Sequence, residues 1–204
     1  MAERGRPRSF DREAALRGAM ELFWTHGYEG TSIADLAALM GIRVASLYAA
    51  FGSKEELFRE SVQLYSRTVM RSAAESFAAE PCARSAVERW LRLSAEVFTD
   101  PETPSGCLVT LSAMTTSAKN DPVRTFLTDV RRQMQAGIGA RLDRARLGGE
   151  LPETVDTAAL AGYYMTVVLG MAIQARDGVG TVALELAIDC AMAAWDRLAE
   201  PIPH

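Results

Sequence analysis

The chain has 204 residues, with 22 Lys and Arg against 26 Asp and Glu for a formal net charge of −4, and 49% of its residues are apolar. That composition describes a globular chain long enough for a continuous core, or for a small module attached to a larger one. It excludes low complexity, and it excludes a protein that holds nucleic acid through bulk positive charge, so any DNA contact requires a local basic patch.

Such a patch opens the chain, where Arg4, Arg6 and Arg8 face one acid, Glu3, and are spaced by Gly5 and Pro7. The stretch lacks the apolar run of a secretory signal and the amphipathic length of a transit peptide, so a cytoplasmic protein is expected. A first helix follows. Asp11 is its predicted N-cap, Leu16, Ala19, Met20 and Phe23 form its apolar stripe, and His26-Gly27 ends it. Thr31 or Ser32 caps a short second helix through Met40, with Ile33, Leu36, Ala37 and Met40 turned inward and Asp35 in its first turn. Gly41 breaks that helix.

A third helix reaches Phe51, with Leu47 and Phe51 on its inner side and Arg43, Val44, Ser46, Ala49 and Ala50 on the other. Ser53-Lys54-Glu55-Glu56 has the spacing of a capping box and starts a longer helix striped by Phe58, Val62, Tyr65 and Val69. Pro81, Pro101 with Pro104, Asp121-Pro122, Gly148-Gly149 with Pro152, and Asp177-Gly178 then separate five further helical segments. One of them, Ala158 to Ala175, is uncharged, but it is short for a membrane span, alanine-rich, and carries Thr166 and Gln174. A helix buried on most sides suits it better, and no membrane partner is expected. The fold class is therefore all-α.

Two short helices around a Gly-containing turn, Thr31 to Phe51, meet the requirements of a helix-turn-helix. In that arrangement the second helix enters the major groove, which places Arg43, Val44, Ser46 and Ala49 at base edges. Tyr48, with an apolar ring and a hydroxyl tip, and Lys54, a compact charge at a helix start, suit phosphates, as does Thr31 at its own helix N-terminus.

The run Thr31-Ser32-Ile33-Ala34-Asp35-Leu36-Ala37, with Gly41-Ile42, Ser46-Leu47-Tyr48, Phe51 and Ser53-Lys54-Glu55-Glu56-Leu57, closely resembles the DNA-binding domain of the TetR (AcrR-like) family. Gly5-Arg6-Pro7-Arg8, and Leu22-Phe23 followed by Gly27-Tyr28, resemble that family's opening. The resemblance implies about nine helices, divided into a DNA-binding domain at 1–53, basic arm included, and an effector-binding and dimerisation domain at 54–204. It implies a homodimer and a C-terminal cavity where a small molecule releases the protein from its operator.

It also implies phosphate contacts at Thr31, Tyr48 and Lys54, with Ser32 beside them, and a base-reading helix from Arg43 through Ala45 to Ala50. Two departures stand out: Arg43 replaces the usual capping Ser or Thr, and Ala49-Ala50 replace larger side chains. Base reading then leans on Arg43, which suits guanine, on Ser46, and on the arginine arm in the adjacent minor groove.

Candidate cavity residues are Trp90, Phe98, Met114, Phe126, Met134, Tyr163 and Met171, apolar side chains on separate helices of the kind that line small-molecule sites. The effector expected there is hydrophobic. Gly106-Cys107-Leu108-Val109 is similar to a segment in one subset of these regulators. The alanine-rich helices near Gly162–Ala175 and Leu184–Leu198 are the expected dimer surface, through Val168, Ala172, Ala187, Ala191 and Trp195. A two-fold dimer sets its recognition helices about 34–36 Å apart, or a multiple of that, and so reads a near-palindromic operator of double-stranded DNA.

Enzymatic catalysis has little to stand on, because His26 and His204 are the histidines and no phosphate loop, Ser-His-Asp set or metal spacing is present. Cys82, Cys107 and Cys190 are far apart and show no Cys-x-x-Cys spacing, so neither a disulfide framework nor a metal or other cofactor is expected. A helical scaffold that binds only protein is the remaining alternative, and it would lack salt-dependent affinity for DNA.

Overall fold

A computed structural model describes residues 11–199, and among them regular structure consists of helices alone. Helix α1 (Arg12–Gly30) starts where the Asp11 carboxylate accepts the amides of Glu13 and Ala14, and its apolar stripe is wholly buried. Its backbone leaves helical geometry at Gly27, which separates a final turn, Tyr28 to Gly30, from the main helix. Helices α2 (Ile33–Leu39) and α3 (Val44–Phe51) pack beneath it, with Leu36 and Leu47 fully buried in the seam.

Helix α4 (Lys54–Thr68) ties this N-terminal module to the rest. The Ser53 hydroxyl accepts the Glu56 amide at 3.0 Å, and the first half of α4 then packs along α1. Phe58 meets Phe23 edge-on at 5.1 Å between ring centroids, and Tyr65 meets Trp24 at 4.8 Å. Fully burying one such ring stabilises the fold by about 1.5–3 kcal/mol, and edge-on pairing adds to that.

The remaining helices form a bundle: α5 (Arg71–Ala79), α6 (Ala83–Phe98), α7 (Leu108–Thr115), α8 (Asp121–Leu147), α9 (Thr157–Arg176), α10 (Thr181–Ala193) and the single turn α11 (Trp195–Leu198). Helix α9 is long and apolar enough to cross a membrane, yet Leu160, Tyr164, Val168, Met171 and Ala172 bury its inner face against α6, α8 and α10. The Tyr164 hydroxyl finds the Ala191 carbonyl at 3.2 Å, so its buried polar tip is satisfied.

Arg141 is buried on α8 and caps the corner between α5 and α6 by donating to the carbonyls of Glu80 (3.1 Å) and Pro81 (2.7 Å), with Glu150 at 3.8 Å. Breaking that set strands a buried charge, which typically costs about 3–5 kcal/mol.

Candidate DNA interface and effector cavity

The turn between α2 and α3 follows from one residue. Gly41 adopts φ +64°, its amide bonds to the Ala38 carbonyl, and the Ile42 amide bonds to the Ala37 carbonyl, both at 3.1 Å. This pair of bonds closes the helix end as a Schellman motif, which needs the left-handed conformation that glycine adopts without strain. The chain then re-enters a helix with its axis turned by 93°, within reach of the near-perpendicular crossing of a helix-turn-helix.

On α3, Leu47 and Phe51 hold the helix to the core while Val44, Ala45, Ser46, Tyr48 and Ala49 are exposed. Tyr48 is 45% exposed and Val44 41%, unusual for apolar groups with no other role. Arg43 is the N-cap of α3 without a side-chain capping bond, and its guanidinium forms no ion pair among the described residues. The first amides of α3 therefore have no side-chain acceptor, and this end of the helix favours a negative partner. Arg4, Arg6 and Arg8 lie outside the described residues.

Lys54 is half-buried, with its ammonium 4.3 Å from the centre of the Tyr28 ring. Burial lowers its pKa, while the carboxylates of Glu29 and Asp35 act to raise it. The side chain is thus pre-set at the mouth of the α2–α3 face by a cation–π contact. Ser32 is exposed and accepts the Asp35 amide, while the Asp35 carboxylate accepts the Ser32 amide, a reciprocal capping box.

Thr31 is placed differently from expectation. It is 1% exposed and its hydroxyl donates to the Gly27 carbonyl at 2.8 Å, because the kink after α1 frees that carbonyl and Thr31 covers it. Its hydroxyl is a structural clasp and is not presented to phosphate.

A cavity of about 370 Å³ opens between α4, α5, α6, the start of α7, α8 and α9. Three of the residues expected there, Trp90, Phe98 and Met134, line it. The other four do not. Met114 is 64% exposed beside the end of α1, and Tyr163 lies on the outer face of α9. Phe126 packs under the Arg59 guanidinium at 4.5 Å, and Met171 is buried against α10, beside Ala187 and Ala191. Identical residue types at helical spacing do not reveal which face of a helix looks inward.

Tyr65 was legible only as one more apolar position of α4, yet it lines the cavity and is 1% exposed. Burial drives its pKa well above the ordinary range, with the nearby Cys107 thiol adding to the effect.

Of the expected dimer residues, Val168, Ala172 and Ala191 are buried inside the protomer because α9 and α10 turn those faces toward α6 and α8, and Trp195 of α11 is buried against Tyr164. Only Ala187 is partly exposed. The outer surface of the two helices instead presents Val182 (73% exposed), Leu186 (61%) and Tyr163 (36%).

The cavity and the DNA-facing module share polar clasps that sequence reasoning did not anticipate. Arg176 of α9 donates to the Thr25 carbonyl at 2.7 Å. Glu29 accepts the Ser117 amide and the Asn120 side-chain amide, the latter at 2.8 Å, which holds its pKa down to about 2. Both clasps grip the end of α1. The 117–120 segment that Glu29 holds continues from α7, in which Val109 and Thr110 are cavity wall, while Arg176 ties α9 to the same end.

Comparisons with known proteins agree with this arrangement. Residues 15–61 match the bacterial regulatory proteins of the tetR family, and residues 81–188 match the tetracyclin repressor-like C-terminal domain. The chain is 34% identical to the HTH-type transcriptional repressor ComR of Escherichia coli K12, across 96% of this chain and 93% of ComR. It is 28% identical to the HTH-type transcriptional repressor BdcR of the same organism, across 81% and 94% of the two chains.

Among solved structures, a cysteine mutant of the TetR family regulator CifR, complexed with 26 bp double-stranded operator DNA, is 41% identical with a TM-score of 0.89 and covers 93% of this chain and 100% of that one. A putative TetR regulator from Rhodococcus sp. RHA1 is 36% identical over 93% of this chain and 100% of that one, with a TM-score of 0.60. The two-domain helical fold, the helix-turn-helix and a match that runs nearly end to end have one reading: the chain belongs to the TetR family, whose members are transcriptional regulators and not enzymes.

Proposed function

We propose that this protein is a cytoplasmic, homodimeric repressor that binds a near-palindromic DNA operator through α3 and is released by a small apolar molecule held in the α4–α9 cavity. The observation that carries the reading is the exposed face of α3. An unpaired arginine, two exposed apolar side chains and a free serine stand on a short helix set at 93° to its partner, with Lys54 fixed beside them. ComR is named a repressor and CifR is seen on operator DNA, which supports the same use of this face here.

Two recognition helices per dimer are needed for half-sites about 34–36 Å apart. The exposed Val182, Leu186 and Tyr163 offer an apolar surface on which a second copy would sit about a two-fold axis. The clasp of Glu29 supplies a physical route for release, since a ligand that displaces α7 pulls on the end of α1, to which α2 and α3 are attached, and Arg176 ties α9 to the same end.

Fluorescence anisotropy with DNA from upstream of the protein's own gene tests this directly. A steep fall of affinity with salt and competition by the same sequence in unlabelled form are expected. Binding that is flat with salt, or indifferent to sequence, would set the reading aside.

A further inference from the structure

The cavity is apolar along most of its wall, and one set of polar groups meets near the start of α7. Tyr65 contributes a hydroxyl that is fully buried and makes no hydrogen bond of normal geometry, with the Cys107 thiol and the Leu108 backbone as the polar groups acting on it. Leu108 begins α7, whose N-cap, Cys107, gives no side-chain capping bond, so the positive end of the α7 backbone is left uncapped beside the Tyr65 hydroxyl. A third donor comes from α8. Arg131 stands three and seven residues before Met134 and Ile138, both cavity lining, and so shares their helix face. Its Nη1 is buried without a hydrogen-bond partner, and no carboxylate pairs with it among the described residues.

The Arg131 Nη1 and the Tyr65 hydroxyl are buried donors without an acceptor, and the start of α7 lies beside the hydroxyl. Buried donors without acceptors are costly, so their grouping against one cavity calls for a ligand that supplies the missing charge. No Asp or Glu lines the cavity. The protein as a whole is acidic, so this local excess of donors runs against its own net charge.

We propose that the effector is an amphipathic carboxylate, its anionic head held between Tyr65, Arg131 and the start of α7 and its apolar body among Phe77, Trp90 and Met134. This rests on the reading of the cavity as the effector site and narrows it from any hydrophobic molecule to one chemical class. The arrangement joins a charge-assisted pair to a helix N-terminus, two features that favour a carboxylate over a neutral head of equal size. Arg144 is the cation that lines the wall directly, but it lies thirteen residues further along α8 than Arg131, roughly 20 Å away, and is exposed.

The test is calorimetric titration of the full-length dimer with linear saturated carboxylates of about eight to twelve carbons, a size range suited to such cavities, against alcohols and amines of matched length. Carboxylates should bind about tenfold tighter than the matched alcohols, with amines weakest. Tyr65→Phe and Arg131→Gln, each verified as folded by helical circular dichroism, should each shrink that ratio about threefold or more while alcohol affinity changes little. Arg144→Gln should leave the ratio intact.

Equal binding of carboxylate and alcohol, absence of carboxylate binding, or loss of the preference only in Arg144→Gln would overturn the proposal. Operator binding by unliganded wild type, measured on the same preparation, separates the two readings. A protein that binds its operator without preferring carboxylates remains a regulator with a different effector.

Discussion

The indole Nε1–H of Trp24 donates to the backbone carbonyl of Gly106 at 3.2 Å in the buried seam between α1 and the turn that precedes α7. Gly106 has φ +83°, and a Cβ there would stand 2.6 Å from the Ala172 carbonyl oxygen and 2.9 Å from Leu111 Cδ1. Helices α1, α7 and α9 therefore meet at a point that admits no side chain. Gly106→Ala combines left-handed strain with a backbone clash and should lower stability by about 2 kcal/mol or more, read as a reduced midpoint in urea unfolding. An unchanged midpoint would show that the seam is looser than its geometry indicates.

Trp24→Phe retains a ring against Tyr65 but removes the donor and leaves the Gly106 carbonyl without it. A cost of about 1–3 kcal/mol is expected in thermal unfolding. A weaker ligand-induced release from operator is expected too, because the clasp joins the α7 end of the cavity to α1. Release that matches wild type at equal ligand occupancy would place the coupling elsewhere, at Arg176 or Glu29.

Glu29 supplies a pH test. Its pKa is held down to about 2, first by side-chain and backbone hydrogen bonds at Ser117 and Asn120, against an ordinary value of 4.5. A depressed carboxylate contributes stability above its unfolded pKa and loses it as pH falls through the folded value, so the contribution is whole at neutral pH and fades from about 4.5 down to about 2. Wild type should exceed Glu29→Gln in melting temperature at pH 7, with a gap that narrows toward pH 3. The carboxylate is exposed, so solvent screening keeps the gap modest. A constant gap across that range would assign the effect to packing.

On the DNA face the two cations should separate by role. Lys54→Ala weakens binding to all sequences and reduces the salt slope by about one. Arg43→Ala should cost about 1–3 kcal/mol on the operator and much less on random DNA, if it pairs with a base. Competition titrations with both DNAs distinguish the outcomes, and equal losses on the two would make Arg43 a phosphate contact.

Leu186→Glu puts a charge into the most apolar exposed part of α10. Sedimentation should then show monomers at micromolar concentration, with operator affinity reduced by far more than any single contact explains, since a monomer engages one half-site. A dimer that survives the substitution would locate the interface on another surface.

Local signals were reliable where the chemistry itself is local. Asp11, Ser32 and Ser53 cap the helices they precede, and Gly41 closes α2, because a cap or a left-handed turn depends on residues within four positions of one another. The exposed face of α3 was equally legible, since Leu47 and Phe51 mark its inner side. Thr31 misled because the same residue type at a helix start can face phosphate or cover a carbonyl, and the kink at Gly27, four residues before it, decided for the second.

By itself, the sequence determined an all-helical chain, the limits of its helix-turn-helix, and the exposed set Arg43, Ser46 and Tyr48 on the outer side of α3. Tertiary structure alone decided which side of each C-terminal helix looks inward. It put Tyr65 on the cavity wall, sent Phe126 and Tyr163 away from it, and buried Val168 and Trp195 where a dimer surface was expected. The physical reason is that α9 and α10 are apolar on most sides, so periodicity assigns them no preferred face. The choice is made by packing against α6 and α8, far away in the chain.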